Sequence, residues 1–324
     1  MIESLGDRLE ALRSGKVAEG LSLGLRTDEW FRYKQGTFNI ILGHSNIGKT
    51  HFSMFLFLCW SIKHNIKWCI WSSENKASSL MRKVLEFATG ELLTDMSAEK
   101  MQRELMYWEQ YFRFMQTEEL ETTESLLEKM QEEYDRDKYD AVFIDPYNSL
   151  AMNKESAGKV GGHEYHLESG TRIRNFTKQL GVSAFVAMHP NTESARRKHT
   201  SGEYQGLTQP PSEYDVSMGS IFVARADDFY VVHRYIHHPT EWMWTHFYVS
   251  KVKEMETGGR PTPYDDPIRF RSTINNLGFE LDGSDVISSI QKKNTQSEIA
   301  LNVEPEEAPF WFLLAKTNYT YAKR

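Results

Sequence analysis

Eight consecutive residues of this sequence have the types and the spacing of a phosphate-binding loop. They read GHSNIGKT from Gly43 to Thr50 and match the pattern G-x-x-x-x-G-K-[ST]. The glycines let backbone N–H groups turn toward phosphate oxygens, and the following helix N-terminus adds a favourable dipole. The lysine supplies a positive charge to the outer phosphates, and the hydroxyl of the last residue coordinates Mg²⁺. The sequence therefore predicts a site for a nucleoside triphosphate, ATP or another, with Mg²⁺. The predicted contacts are Gly43, His44, Ser45, Asn46, Ile47, Gly48, Lys49 and Thr50, of which Thr50 also binds the metal.

Three further polar residues stand at or just beyond the ends of predicted strands, where parallel α/β sheets place functional groups. Asp145 ends an apolar strand and fits the aspartate that holds Mg²⁺ through water. Glu74 is the best base for activating water, although it could instead cap the following helix. His189 could sense the γ-phosphate, and a plain polar histidine at a strand end is the alternative. The strands in question are Lys67–Trp71, Ala141–Ile144 and Val182–Met188.

Two basic groups lie outside this cluster. Lys251 and Lys253 stand at the end of a late predicted strand and could reach a neighbouring subunit's nucleotide, as arginine fingers do in trans. Ordinary surface lysines are the alternative. Arg196, Arg197 and Lys198 lie in a long polar segment, residues 191–217, and suit contact with a nucleic-acid backbone. Nearby glutamates dilute this cluster, so a solvated loop is the alternative there.

The elements that must hold these residues follow from hydrophobic periodicity. Strands and helices alternate through residue 189, which predicts a mostly parallel sheet flanked by helices, with the phosphate loop after the first strand. Later strand-like runs predict antiparallel strands at one edge. Residues 95–136 are expected to be helical, residues 2–14 to form a short amphipathic helix, and the pattern weakens from about residue 276. The other predicted elements are the strands Phe38–Leu42, Phe229–His233, Glu241–Lys251 and one near Ile268–Phe270, and the helices His51–His64, 76–90 and Ser169–Leu180.

Composition excludes several other classes of protein. The 324 residues are 40% hydrophobic with a net charge of −7, which indicates a globular protein without a general affinity for polyanions. Cys59 and Cys69 both lie in apolar runs and are expected to be reduced. The acidic N-terminus is no signal peptide, and the longest apolar run is too short to span a bilayer. We expect a protein without membrane partners in the cytoplasm of a bacterium, or of a host cell if a phage encodes it.

Taken together, these blocks resemble the ATPase domain of hexameric replicative helicases, the DnaB-like group within the RecA-type fold. The likeness is greatest to the helicase halves of phage and mitochondrial primase–helicases, and it covers roughly residues 20–275. It rests on the order and spacing of the blocks more than on any one of them. The blocks are GHSNIGKT, WSSEN, VFIDPYNSL, AMHPN, GSIFVARADDFYVVHR and KVKEMETGGRP.

The resemblance implies a role for each site residue. Lys49 and Thr50 would bind phosphates and Mg²⁺, and Asp145 would be the Walker B residue. Glu74 falls at the family's catalytic glutamate, and His189 at its γ-phosphate sensor. Lys251 and Lys253 fall where the family commonly has Lys-x-Arg, so the trans-acting finger would be a lysine, which lacks the bidentate guanidinium fork. In addition, Arg234 matches a family arginine near the nucleotide, and Arg196, Arg197 and Lys198 are candidate DNA contacts.

The resemblance also implies an assembly and an activity. Residues 1–30 would hold a linker helix that packs on the adjacent subunit, 31–275 the RecA-like ATPase core, and 276–324 a C-terminal tail. The expected function is an ATP-dependent DNA helicase, a hexamer or similar ring on single-stranded DNA. No primase domain precedes the core, so either a separate protein carries out priming, with a separate primase or loader as a partner, or the chain is not a stand-alone replicative helicase. The alternatives are a RecA- or KaiC-like ATPase of recombination or signalling, and a weakly hydrolysing nucleotide-binding adaptor subunit.

Overall fold

A single β-sheet forms the centre of the computed structural model of this chain. The structure describes residues 20–116, 120–152, 161–217 and 219–291, together with residues 6, 9, 10, 13 and 14. The strands in these residues are β1 (Phe38–Leu42), β2 (Trp68–Ser72), β3 (Phe112–Met115), β4 (Ala141–Asp145), β5 (Ser183–Met188), β6 (Asp228–His233), β7 (Trp244–Lys251), β8 (Ile268–Ser272), β9 (Phe279–Leu281) and β10 (Ser284–Asp285). The helices are α1 (Lys49–His64), α2 (Ala77–Thr89), α3 (Ala98–Trp108), α4 (Thr123–Arg136), α5 (Gly162–Leu180), α6 (Thr192–Arg196) and α7 (Ser220–Arg225).

The sheet has the order β10-β9-β8-β7-β6-β1-β5-β4-β2-β3. Within strands β1 to β6, every pairing is parallel, and β1 lies between β5 and β6. From β6 through β7, β8, β9 and β10 the pairing is antiparallel. The predicted α/β architecture, a mostly parallel sheet with antiparallel strands at one edge, is therefore confirmed.

Strand β1 is buried on both faces because helices cover the sheet on both sides. All five of its residues are buried, and strands buried in this way read as nearly continuous apolar runs. Ile41 and Phe185 belong to the core layer under α1, whereas Ile40 and Val186 belong to the layer under α5. The phosphate-loop strand is thus anchored on both faces, and its end has a fixed position.

Helix α1 is anchored by aromatic packing. Phe57 stacks on Trp68 of β2 with ring centroids 3.9 Å apart, and it also contacts Phe143 and Phe185 edge-on. Aromatic side chains of this kind contribute the largest single areas to a core. Helix α1, whose first turn carries the last two residues of the phosphate motif, is therefore held against β2, β4 and β5 through Phe57. Among the described residues, no helix has the length and apolar character that a membrane crossing would need.

The region 95–136 is not helical throughout, which corrects the sequence prediction. Strand β3 lies inside it, pairs with β2 in parallel and forms one edge of the sheet. Only Phe112 of its four residues is buried, because an edge strand has one open side. Its sequence FRFM alternates apolar and basic residues over too few positions to stand out between two charged helices.

The remaining differences concern element ends. Helix α5 begins at Gly162, seven residues before the predicted start at 169 (169 − 162 = 7). The sheet continues past the predicted core boundary at residue 275, and Phe279, Leu281 and Ile290 are buried there. These residues belong to the core layer under α1, and Phe279 packs on Phe55 of that helix. The predicted helix at 2–14 and the tail beyond 291 lie largely or wholly outside the described residues.

Candidate active site

The phosphate loop connects the end of β1 to the start of α1. A Cβ at Gly43 would lie 2.7 Å from the carbonyl oxygen of Val232 and 2.8 Å from Cδ1 of Ile47, so a larger residue does not fit. Gly48 has a φ of 86° and Asn46 a φ of 62°, the left-handed region that glycine and asparagine tolerate best. The turn itself therefore requires both glycines of the motif.

Lys49 lies within this turn with its ammonium group enclosed. It is 5% exposed, and Nζ donates to the carbonyl oxygens of Met188 and Gly43 at 3.1 and 3.4 Å. Burial lowers the pKa of the ammonium to about 8, against the opposing effect of the Asp145 and Glu74 carboxylates. Phosphate oxygens would strongly stabilise this desolvated cation, because their negative charge replaces the solvation by water that burial removes.

Asp145 ends β4 and is fully buried. Its Oδ2 accepts hydrogen bonds from Thr50 Oγ1 at 2.8 Å, Ser72 Oγ at 3.2 Å and Asn75 Nδ2 at 3.4 Å. Burial raises the pKa of this carboxyl, while Lys49 and the hydrogen bond from Thr50 oppose the increase. The aspartate and the motif threonine are in direct contact, so both are close enough to serve one metal ion.

This pair fits a magnesium ion. The second oxygen of Asp145, Oδ1, is buried and has no hydrogen-bond partner among the described residues, and such buried polar atoms usually have one. Proteins commonly hold Mg²⁺ with one or two carboxylates, waters and the phosphates of the substrate. Asp145 and Thr50 are the residues of this chain that would hold the ion.

Glu74 and His189 face each other across the same end of the sheet. Glu74 Oε1 lies 3.1 Å from His189 Nε2, and the glutamate side chain is 47% exposed. The other ring nitrogen of His189, Nδ1, lies 3.2 Å from Lys49 Nζ and 3.5 Å from Ser45 Oγ. The N-cap of α2 is Lys76, so Glu74 does not cap that helix. It points into the site instead.

The strand register explains why these residues meet. Ser72 at the end of β2 pairs with Asp145 at the end of β4, and Leu42 at the end of β1 pairs with Met188 at the end of β5. Carboxyl ends of parallel strands meet at one edge of a sheet. The structure thus brings together the predicted residues Lys49, Thr50, Glu74, Asp145 and His189.

Arg234 also lies at this edge, directly after β6. Its Nη1 is 3.3 Å from the position that a Cβ would take at Gly48, so the guanidinium lies over the N-terminus of α1. Nη2 donates to the carbonyl oxygen of Trp242 at 2.6 Å. Burial lowers the pKa of the guanidinium. The structure therefore places Arg234 beside the phosphate loop, where the sequence expects it.

Lys251 and Lys253 lie at the opposite end of the sheet. Strand β7 is antiparallel to β6, which puts Lys251 against Phe229 near the start of β6. Its Nζ donates to the carbonyl oxygens of Ala226 and Val223 at 2.7 and 3.2 Å. Lys253 Nζ donates to Asp227 Oδ1 at 3.0 Å. Neither lysine belongs to the phosphate loop of its own subunit.

The basic cluster at 196–198 is largely paired within the chain. Arg196 donates to Glu193 at 2.6 Å, Arg197 forms an ion pair with Asp215, and Lys198 donates to Thr208 at 2.6 Å. Two of the three cations therefore have a carboxylate partner. The cluster is surface-exposed but does not form a patch of one sign.

Three polar residues near the site were not singled out from the sequence. Asn75 contacts Asp145, Asn148 accepts the backbone N–H of His189 at 2.7 Å, and Ser194 Oγ lies 3.0 Å from His44 Nε2. Asn75 and Asn148 stand in the strand-end stretches SSEN and DPYNSL. Their position after a strand was the available signal, since short amides at strand ends are often ligands or clamps.

Comparison with known proteins gives a fold and no sequence relative. No protein-family profile and no curated protein matches this chain. Among solved structures, one ATPase domain is similar with a TM-score of 0.64 at 13% identity, covering 84% of this chain and 94% of that one. A DnaB-like replicative helicase, solved with regard to its interactions with primase, is similar with a TM-score of 0.64 at 14% identity, covering 86% of this chain and 66% of that one. The chain has the RecA-like fold of helicase-type P-loop ATPase domains.

Proposed function

We propose that this chain is a P-loop NTPase of the DnaB-like helicase type, which hydrolyses ATP or a related nucleotide to move along single-stranded DNA. The observation that carries the proposal is the convergence of the phosphate loop, the Asp145–Thr50 pair and the Glu74–His189 pair at one sheet edge. The similarity in fold to helicase ATPase domains supports the same assignment.

In the proposed mechanism, the loop N–H groups and Lys49 bind the β- and γ-phosphates. Thr50 and Asp145 would hold Mg²⁺, which would neutralise charge that develops on the phosphates. Glu74 orients a water molecule and accepts its proton as the water oxygen bonds to the γ-phosphorus. The bond from that phosphorus to the bridging oxygen breaks, and the nucleoside diphosphate leaves. For this step the Glu74 carboxylate must exchange its contact with the His189 imidazole for the water. His189 then contacts the γ-phosphate, since it already lies against Lys49.

The positions of Lys251 and Lys253 support a site shared between subunits. Because they lie at the far end of the sheet, they can act on a triphosphate only if it is bound by another copy of the chain. We therefore include a ring, hexameric or similar, in the proposal. Lys253 must leave Asp227 to reach the neighbour's phosphate, and as a lysine it gives one point charge rather than two parallel hydrogen bonds.

A groove at the β3 edge of the sheet suits the N-terminal segment of a second copy of the chain. Helices α2 and α3 and strand β3 enclose a space of about 550 Å³ lined by Met81, Leu85, Met101 and Phe112 among others, with Arg82 and Arg113 in its wall. Residues 2–14 have an apolar face, and Leu9 is 56% exposed. In the proposed division of the chain, residues 1–30 link subunits, 31–275 form the ATPase core, and 276–324 are a C-terminal tail whose first strands, β9 and β10, extend the sheet.

The test of the proposal is unwinding of a forked DNA substrate with ATP and Mg²⁺. The cytoplasm is the compartment in which we expect the chain to act. Strand displacement by the wild type and none by Glu74→Gln would support it. Hydrolysis stimulated by single-stranded DNA without displacement would favour a RecA- or KaiC-like ATPase. If no hydrolysis occurs with or without DNA, the helicase assignment is wrong and an adaptor role gains support.

The adaptor alternative has two observations in its favour. The trans-acting position holds lysine rather than arginine. In addition, the candidate DNA contacts Arg196 and Arg197 are already paired with carboxylates. Either feature would weaken hydrolysis or its coupling to DNA. The intact set of Lys49, Glu74 and Asp145 favours the enzyme.

A further inference from the structure

Both backbone polar groups of His189 are held by side chains rather than by the sheet. Strand β5 ends at Met188, so the next peptide has lost its ladder partners. The N–H of His189 donates to Asn148 Oδ1 at 2.7 Å, and its carbonyl oxygen accepts from Ser217 Oγ at 3.2 Å. Asn148 Nδ2 in turn donates to Ser217 Oγ at 2.7 Å. The two side chains form a clamp around a single residue.

The clamped residue is the one whose imidazole joins the two halves of the site. His189 contacts Lys49 through Nδ1 and Glu74 through Nε2. These contacts use the two opposite nitrogens of one ring, so a small rotation of the backbone at residue 189 would break at least one of them. Displacements of about 1 Å can cost on the order of a hundredfold in rate.

The clamp also contains the end of the segment 190–217. Pro190 and Val216 form an antiparallel bridge, and Asn191 N–H donates to the carbonyl oxygen of Asp215 at 2.7 Å. The two ends of the segment therefore meet beside His189, with Ser217 in the clamp itself. A ligand that displaces this segment would pull on Ser217 and thereby on the backbone of His189.

We propose that Asn148 and Ser217 are positioning residues that set the orientation of His189 and connect it to the segment 190–217. The inference rests on the proposed function, because it assigns them an effect on hydrolysis and on its response to single-stranded DNA. Neither side chain contacts the phosphate loop or Asp145 in the hydrogen bonds described above. They act through His189 alone.

The test is a double-mutant cycle on nucleotide turnover, with nucleotide affinity measured separately by a fluorescent ATP analogue. Asn148→Ala is expected to lower turnover about ten- to a hundredfold with affinity changed less than about threefold. Combined with His189→Ala, it should slow the enzyme no further than His189→Ala does alone. Asn148→Asp, which retains the acceptor for the His189 N–H, should restore part of the lost rate.

Ser217→Ala tests the connection to the segment. It is expected to reduce the stimulation of turnover by single-stranded DNA at least about threefold, whereas Ser201→Ala, the same change at an exposed position of the segment, should not. Circular dichroism and thermal melting identify a variant that fails to fold. Additive losses in the Asn148–His189 cycle, or normal turnover of Asn148→Ala, would overturn the inference while the wild-type activity stands. Lack of turnover by the wild type would instead contradict the proposed function, and the inference with it.

Discussion

At the scale of single residues, the site holds a buried cation and a buried carboxylate next to a second carboxylate that is partly exposed. Lys49 and Asp145 are both buried, and each opposes the effect of burial on the other's pKa. Glu74 is different, because its side chain is about half exposed. It is the group that can reach a water molecule without disturbing the buried pair.

Glu74→Gln is therefore expected to separate binding from hydrolysis. The amide keeps the size of the side chain but cannot accept a proton, so turnover should fall about 10²- to 10³-fold with nucleotide affinity nearly unchanged. Single-turnover hydrolysis and analogue binding measure the two effects. Glu128→Gln, at an exposed position of α4, is the matched control. Equal turnover in the two variants would show that Glu74 is not the base.

Buried histidines beside the site make the fold sensitive to acid. His233 and His246 are cross-strand partners on β6 and β7, and burial lowers their pKa values to about 3 and about 4. The unfolded chain binds these protons near pH 6.5, so the stabilising contribution is complete above that pH. It is lost as the pH falls from about 6.5 toward 4, by about 2 kcal/mol for each imidazole at about pH 5.

His246→Phe should thus lessen the acid sensitivity. Between about pH 7 and pH 5, its free energy of unfolding should fall by roughly 2 kcal/mol less than that of the wild type, measured by urea denaturation. His237→Phe, at an exposed position of the loop between β6 and β7, should behave as the wild type. A wild-type stability that does not change over this range would contradict the assignment.

Residue patterns in the sequence predict the chemistry of this site but not the state of every charge. The loop motif and the strand-end residues Glu74, Asp145 and His189 can be predicted from the sequence, because strand ends converge in parallel sheets. The pairing of Arg197 cannot, since its partner Asp215 lies 18 residues away across a folded segment. Ion pairs between distant positions leave no local periodicity.

At the scale of elements, the strand–loop–helix unit β1–α1 depends on close backbone contact. Gly43→Ala would force its Cβ against the Val232 carbonyl and Ile47, so we expect the loop to shift and nucleotide affinity to fall at least about tenfold. Gly90→Ala is the control, because Gly90 also has a positive φ but its Cβ would meet open space. It should cost about 1 kcal/mol at the C-cap of α2 and leave affinity unchanged. Analogue binding and thermal melting of both variants test this difference.

Elements were predictable where their burial was two-sided. Strands β1, β2, β4 and β5 are nearly continuous apolar runs, and their bounds agree with the sequence prediction within two residues. Strand β3 and the strands β9 and β10 are short and lie at or near the sheet edges, where open faces admit charged side chains. Their identity depends on which neighbour they pair with, and that is tertiary information.

At the scale of the whole molecule, the phosphate loop and the basic pair Lys251 and Lys253 lie at opposite ends of one sheet. In the proposed ring, a complete site therefore needs two subunits. This arrangement makes a specific prediction for mixtures of two defective variants. Glu74→Gln removes the base from a subunit's own loop, while Lys253→Ala removes the cation that it offers to a neighbour. Each variant alone should lose at least about tenfold in turnover.

Mixing the two variants in equal amounts, with exchange of subunits, should restore activity. A site is complete where a Lys253→Ala subunit, with its intact Glu74, meets the intact Lys253 of a Glu74→Gln neighbour, which occurs at about one interface in four in a randomly mixed ring. Turnover should therefore rise to about a quarter of the wild-type value. A mixture of Glu74→Gln with Lys49→Ala should not recover, because both changes disable the same half of the site. If the turnover of the first mixture is only the average of the turnovers of the two variants alone, Lys253 does not act across a subunit interface.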